Sequence, residues 1–170
     1  MKRHKGMRPH DVVILLKIAT LEGKPWLAKD LAISLNISAS EVSESLNRSK
    51  MATLISADKR KLMKKNLLDF IEHGLRYLYP VETGAIQRGI PTAHTAPPLK
   101  NYISSEESFV WPWAEGNVRG QTIEPLHPKV PDACLKDPDL YELLALVDAL
   151  RLGRIREKQQ ALEELRMRVL

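Results

Sequence analysis

Ala28-Lys29-Asp30-Leu31-Ala32-Ile33-Ser34-Leu35-Asn36-Ile37-Ser38-Ala39-Ser40-Glu41-Val42-Ser43-Glu44-Ser45-Leu46-Asn47 is the stretch that decides the fold. It predicts two short helices joined by a tight turn. Leu31 and Leu35 point inward from the first helix. Ala32 falls where the helices cross, and a larger side chain there would force them apart. The turn needs a residue that tolerates positive φ, and Asn36 is the best choice after glycine. Ile37 buries under the turn. Ser38 starts the second helix as its N-cap, and Glu41 three residues on completes a capping box. Val42 and Leu46 face the core.

This pattern leaves Ser38, Ala39, Ser40, Ser43, Glu44, Asn47 and Arg48 facing out. A plain helical hairpin would explain the apolar positions, but not an outward face that lacks large apolar groups and is flanked by basic ones. Small polar residues at the start of a recognition helix allow close approach to base edges and phosphates. Asn47 has the reach and chemistry for adenine, and Arg48 for guanine or a phosphate. Lys50 is placed for the backbone. Glu44 would repel phosphates, so it accepts from a cytosine amino group or lies off the interface. The cluster Arg48, Lys50, Lys59, Arg60, Lys61, Lys64 and Lys65 contains one acid, Asp58, and is expected to track phosphates. The tail Lys2, Arg3, Lys5, Arg8 reads equally as a minor-groove or phosphate arm and as a disordered terminus.

From Pro25 to Ile55 (PWLAKDLAISLNISASEVSESLNRSKMATLI) the chain resembles the winged helix-turn-helix domain of MarR-type bacterial transcriptional regulators, and the resemblance is confined to about residues 9–93. It implies DNA reading by the helix Ser38–Lys50 and phosphate contact by a β-hairpin wing. A typical wing follows the recognition helix directly. Here Ser56-Ala57-Asp58-Lys59-Arg60-Lys61 leads toward another helix, expected over Met63 to Gly74. Two wings are therefore open, the basic loop Lys59-Arg60-Lys61 or a later hairpin in which Arg76-Tyr77-Leu78-Tyr79 and Arg88-Gly89-Ile90-Pro91-Thr92 are the strands and Arg88 lies near the tip; the later hairpin is favoured. The loop Lys59-Arg60-Lys61 would add a phosphate contact. Pro91 restricts the return strand to an edge.

Upstream, Pro9 suits a first helical position, and Val12 to Leu21 is apolar nearly all round, which predicts the central buried helix of the domain. Gly23-Lys24-Pro25 ends it. Downstream, 8 of the 11 prolines lie between Pro91 and Pro138. Phe109, Val110, Trp111, Trp113, Ile123 and Leu126 argue against a freely solvated linker, so 94–136 is expected as an extended arm pinned to its own domain or to a partner subunit. Asp137 caps and Pro138 opens a C-terminal helix carrying Leu140, Leu143, Leu144, Val147 and Leu150, with Gly153 as a bend or break. Ile155, Leu162 and Val169, with Leu165 between them, continue a packing stripe. The expected fold is mainly α: a winged helix-turn-helix domain over 8–93 with a small β-hairpin, the Pro-rich arm over 94–136, and a helical dimerisation or partner-binding segment over 137–170.

The chain is 44% hydrophobic and 28% charged, ordinary for a globular protein. Its net charge of +5 is unevenly spread: residues 1–80 hold 15 Lys/Arg against 8 Asp/Glu, whereas 81–150 hold 5 against 10. A basic half suits a polyanion. No apolar run approaches the roughly 20 residues that cross a bilayer, and no export signal is read at the N-terminus. The single Cys134 excludes an internal disulfide and suits a reducing cytoplasm. His4, His10, His73, His94 and His127 have no metal-ligand spacing, no nucleophile frame organises the serines, and no cofactor is expected. The expected function is a cytoplasmic, homodimeric, sequence-specific regulator of double-stranded DNA, not an enzyme and not membrane-bound. The contact residues are Ser38, Ala39, Ser40, Ser43, Asn47, Arg48, Lys50, Lys59, Arg60, Lys61 and Arg88. The alternative is an antitoxin-like protein whose arm and C-terminal helix bind a protein partner.

Overall fold

A computed structural model describes residues 6–170, so Lys2, Arg3 and Lys5 of the basic tail and His4 lie outside the described residues. The described chain is mainly helical, with eight α-helices and a small three-stranded mixed sheet. Helix α1 (Pro9–Thr20) opens with Pro9, and Arg8 donates its backbone N–H to the Asp11 carboxylate at 2.8 Å. Val12 to Leu16 are all at most 1% exposed. Burying side chains of this size contributes about 1.5–3 kcal/mol each. α1 is thus the central helix that its apolar girth predicts.

Helix α2 (Ala28–Leu35) ends at Asn36, which adopts φ 52° and ψ 44°. The Ile37 amide then donates to the Ala32 carbonyl at 3.0 Å and the Asn36 amide to Ile33 at 3.3 Å. This paired closure satisfies the last carbonyls of α2 and needs a left-handed residue at that point. Helix α3 (Ala39–Met51) begins at Ser38, whose hydroxyl accepts from the Glu41 amide at 3.2 Å. Leu31, Ala32, Leu35, Ile37, Val42 and Leu46 are buried.

After α3 the chain makes a miniature hairpin. Ile55 and Leu62 pair antiparallel, Ser56 donates to Lys61 at 2.8 Å and Met63 to Leu54 at 2.9 Å. Helix α4 (Lys64–His73) follows. Residues 76–79, expected as a strand, instead fall on the one-turn helix α5 (Leu75–Leu78) and its C-cap Tyr79. Gly74 and Leu75 accept from Tyr77 and Tyr79, and only Leu75 of this turn is fully buried. Among the described residues no strand pairs with 76–79, and aromatic content alone did not make one.

Strand β1 (Ile86–Pro91) therefore does not fold back on residues 76–79. It pairs antiparallel with both β2 (Phe109–Pro112) and β3 (Val118–Thr122), and β2 and β3 pair parallel through Phe109 and Val110. β1 has a neighbour on each side, but they share only Gly89; at Pro91 the sole ladder partner is Val110. A Cβ on Gly89 would sit 2.0 Å from the Trp111 carbonyl oxygen, so the close approach requires glycine.

The proline-rich stretch is thus structured. Besides β2 and β3 it holds helix α6 (Val130–Lys136), and Phe109, Val110, Trp111, Ile123 and Leu126 are buried in the protein's own core. Residues 137–170 form two helices, α7 (Pro138–Leu152) and α8 (Ile155–Val169), separated at Gly153. Asp137 caps α7 through the Leu140 amide at 3.1 Å and pairs with Lys17 of α1 at 2.6 Å. Of the packing stripe, Leu165 and Val169 are buried but Ile155 is exposed. One contiguous apolar cluster runs from α1 to α8. Among the described residues no helix is long and apolar enough to cross a membrane.

Candidate nucleic-acid interface

The helical period sorts α3 into two faces. Val42, Ser45, Leu46, Arg48 and Ser49 are buried, whereas Ala39, Ser40, Ser43, Asn47 and Lys50 are exposed, as is Ser38 at the cap. Six of the expected contact residues thus share one solvent-facing surface. Glu41 and Glu44 lie on it too. Glu41 is held by the cap, its carboxylate accepting from the Ser38 hydroxyl at 3.2 Å. Ser38 and Ser40 hydroxyls lie 3.2 Å apart. The surface offers short donors and acceptors, one amide, one flexible cation and the two carboxylates of Glu41 and Glu44.

Arg48 departs from expectation. It is 8% exposed and points into the protein, with Nε donating to Asp11 Oδ2 at 2.8 Å and Nη2 to Asp11 Oδ1 at 2.7 Å. The physical cause is Asp11: its carboxylate is fully buried and needs a cation, and a guanidinium satisfies both oxygens at once. The same Nη2 lies 3.2 Å from His10 Nε2. A guanidinium only donates, so Nε2 accepts and His10 is neutral in this arrangement. Burial lowers the His10 pKa, an effect that Asp11 partly opposes. Tyr79, whose buried hydroxyl has no hydrogen-bond partner, closes the cluster; burial pushes it up to about 12.

The hairpin after α3 carries Lys59, Arg60 and Lys61. Its tip is stapled by short side chains. The Ser56 hydroxyl donates to Asp58, while Ser56 Oγ accepts from the Lys61 amide at 2.9 Å and Asp58 Oδ1 from the Arg60 amide at 3.1 Å. These bonds hold the Asp58 carboxyl below its usual range, the Ser56 contact being the largest cause. Lys59 sits at φ 58°. Arg60 reaches back to the Trp26 carbonyl at 3.3 Å, tying the tip to the segment that leads into α2. Structure thus places a basic hairpin directly after α3, where the sequence pattern suggested only a loop.

Arg88 is not at a hairpin tip. It lies within β1, opposite Arg119 of β3, and both are exposed. The sheet is fixed to α7 by Asp148, whose Oδ2 accepts from Thr92 Oγ1 and Trp111 Nε1, both at 2.7 Å, and whose Oδ1 accepts from Arg151 at 2.9 Å. Arg88 therefore sits in a strand whose sheet is anchored to α7, and not in the hairpin that follows α3.

Sequence reasoning missed the Asp11–Arg48–His10 cluster and the Ser56–Asp58 staple. The first joins residues 37 positions apart and leaves no periodic trace. The second was visible as a Ser-x-Asp turn signature ahead of a basic run. Among the described residues no group of three or more His, Cys, Asp or Glu is arranged to hold a metal ion. No family model, no curated protein and no solved structure matches this chain.

Proposed function

We propose that the chain binds duplex DNA as a winged helix-turn-helix regulator, with α3 in the major groove and the 54–63 hairpin as the wing. The supporting observation is the continuity of two features: an α3 face of small polar side chains, and a basic hairpin that begins three residues after α3 ends. In this reading Ser38, Ala39, Ser40, Ser43 and Asn47 approach base edges, and Lys50, Lys59, Arg60 and Lys61 meet phosphates. Arg48 holds α3 to α1 at neutral pH. Arg88 lies outside the interface. Two copies would read a palindrome with half-sites about one helical turn apart.

The test is fluorescence anisotropy against a randomised duplex pool, followed by selection. Binding that weakens steeply with salt, with Asn47→Ala relaxing sequence preference, is the expected result. Absence of binding to any duplex at about 50 mM salt, where phosphate contacts are strongest, overturns it.

A further inference from the structure

His10 and His127 meet edge to face, their ring centroids 5.7 Å apart, on the side of the Asp11–Arg48 pair. His127 comes from the segment between β3 and α6, anchored by buried Leu126 within it and buried Val130 at the start of α6. Its Nδ1 accepts from the Lys129 amide at 3.1 Å. The groups facing the two rings come from every element around them. Arg8 and Asp11 come from α1 and its cap. Glu41 and Arg48 come from α3, with Glu44 3.8 Å from the Arg48 guanidinium. Lys129 comes from the segment before α6.

His10 Nε2 stands 3.2 Å from Arg48 Nη2 and 3.7 Å from Asp11 Oδ1. A neutral ring accepts from Arg48. A protonated ring cannot, and it places a new donor within an ångström of hydrogen-bond distance of Asp11 Oδ1, which Nη2 now occupies. We infer that protonation of His10 exchanges the partner of Asp11 from Arg48 to His10 and releases the Arg48 guanidinium to the outer side of α3. The proton goes to Nε2; both Arg48 bonds, Nη2–Oδ1 and Nε–Oδ2, break, an Nε2–Oδ1 bond forms, and Oδ2 keeps the Arg8 amide. Asp11 keeps a cationic partner throughout, so the buried carboxylate is never left unpaired.

The released guanidinium lies one turn from Glu44 and next to Asn47 in sequence, at the edge of the face assigned to DNA. In its consequence for DNA, the inference rests on the function proposed above: acidification adds one phosphate contact. Burial sets the pKa of both rings below the ordinary range, and His10 lowers His127 further, so the exchange belongs to mildly acidic conditions.

Two measurements on the full chain separate the parts. The first follows the His10 ring and the Arg48 Nε–H signal by NMR from pH 7.5 to 5, without DNA. Arg48 Nε–H should lose its protected, hydrogen-bonded shift in step with His10 protonation. An Arg48 signal unchanged through that titration overturns the exchange. The second measures the salt dependence of duplex binding at pH 7.5 and 5.5 for the native chain and for His10→Gln, whose amide oxygen still accepts from Arg48 but does not titrate. The log–log slope should steepen by about one unit in the native chain and not in the variant; equal steepening in both overturns the coupling. If no duplex binds at either pH, the proposed function fails, while the NMR titration still decides the exchange, with or without a folded variant.

Discussion

Arg48 of α3 and Asp11 of α1 form a two-pronged buried ion pair, Nε to Oδ2 at 2.8 Å and Nη2 to Oδ1 at 2.7 Å. It sets the position of α3 on the central helix. Asp11 also accepts from the Arg8 amide, so one carboxylate both caps α1 and holds α3. Removing one partner leaves the other charge buried and alone. Asp11→Ala should therefore destabilise the fold by about 3–5 kcal/mol in urea unfolding. Replacing both, Asp11→Leu with Arg48→Met, should recover most of that loss, since no charge is then stranded. A double variant no more stable than Asp11→Ala would show that the pair does not act as a unit.

The hairpin tip makes a sharper prediction about binding. Lys59 is at φ 58°, a conformation that costs a non-glycine residue about 1–2 kcal/mol. Lys59→Gly removes the strain and the charge together. The variant should melt at the same temperature or slightly higher, yet bind every duplex more weakly, with the salt slope reduced by about one unit. A variant that loses stability along with binding would place Lys59 in the packing of the hairpin and not at a phosphate.

How much of this was legible in the residues follows from how local each signal is. The Ala32–Asn36–Ser38–Glu41 frame was legible because its bonds join near neighbours: the turn closes from Ile37 to Ala32 and the cap from Ser38 to Glu41. The Asp137–Pro138 start of α7 was legible for the same reason. Arg48 was misread because its partner lies on another helix, and helical periodicity alone put it next to exposed Asn47. The sheet was misread more deeply. β1 pairs across 19 to 35 residues with strands inside a proline-rich stretch, and no hairpin turn joins them to it. The stretch 94–136, expected as an extended arm pinned to its own domain or to a partner subunit, is put in the protein's own core, as strands and a helix, by the burial of Trp111 and its bond to Asp148.

That bond carries its own prediction. Asp148 is 2% exposed and ties Thr92, the residue after β1, and Trp111 of β2 to Arg151 on its own helix α7. Trp111 Nε1 and the Arg151 guanidinium only donate, so they need an ionised or at least unprotonated oxygen facing them. Burial pushes the carboxyl up, and these three partners pull against it. Asp148→Ala would strand two buried donors and an arginine. A loss of about 3–5 kcal/mol is expected in chemical unfolding, together with dequenching or a red shift of Trp111 fluorescence. Trp111 emission unchanged in the variant would contradict its dependence on this carboxylate.

The histidine pair gives stability a pH dependence whose sign is fixed by the direction of its shifts. His10 and His127 both have lowered pKa values in the folded chain, burial being the largest cause for each. In the unfolded chain they take up protons near the ordinary value of about 6.5. Above that pH both states are neutral and the contribution is fully present. Below it the unfolded state gains protons first, so stability falls until the folded-state values are reached and then levels off. Thermal melts from pH 8 to 5 should show a decline that begins near pH 6.5, and the decline should shrink in His10→Gln. Because His10 lowers His127, the same substitution should also raise the pKa of His127 as read by NMR. A native chain whose melting temperature is flat from pH 8 to 5 would mean that the two rings are solvated in solution, and that Arg48 is held by Asp11 alone.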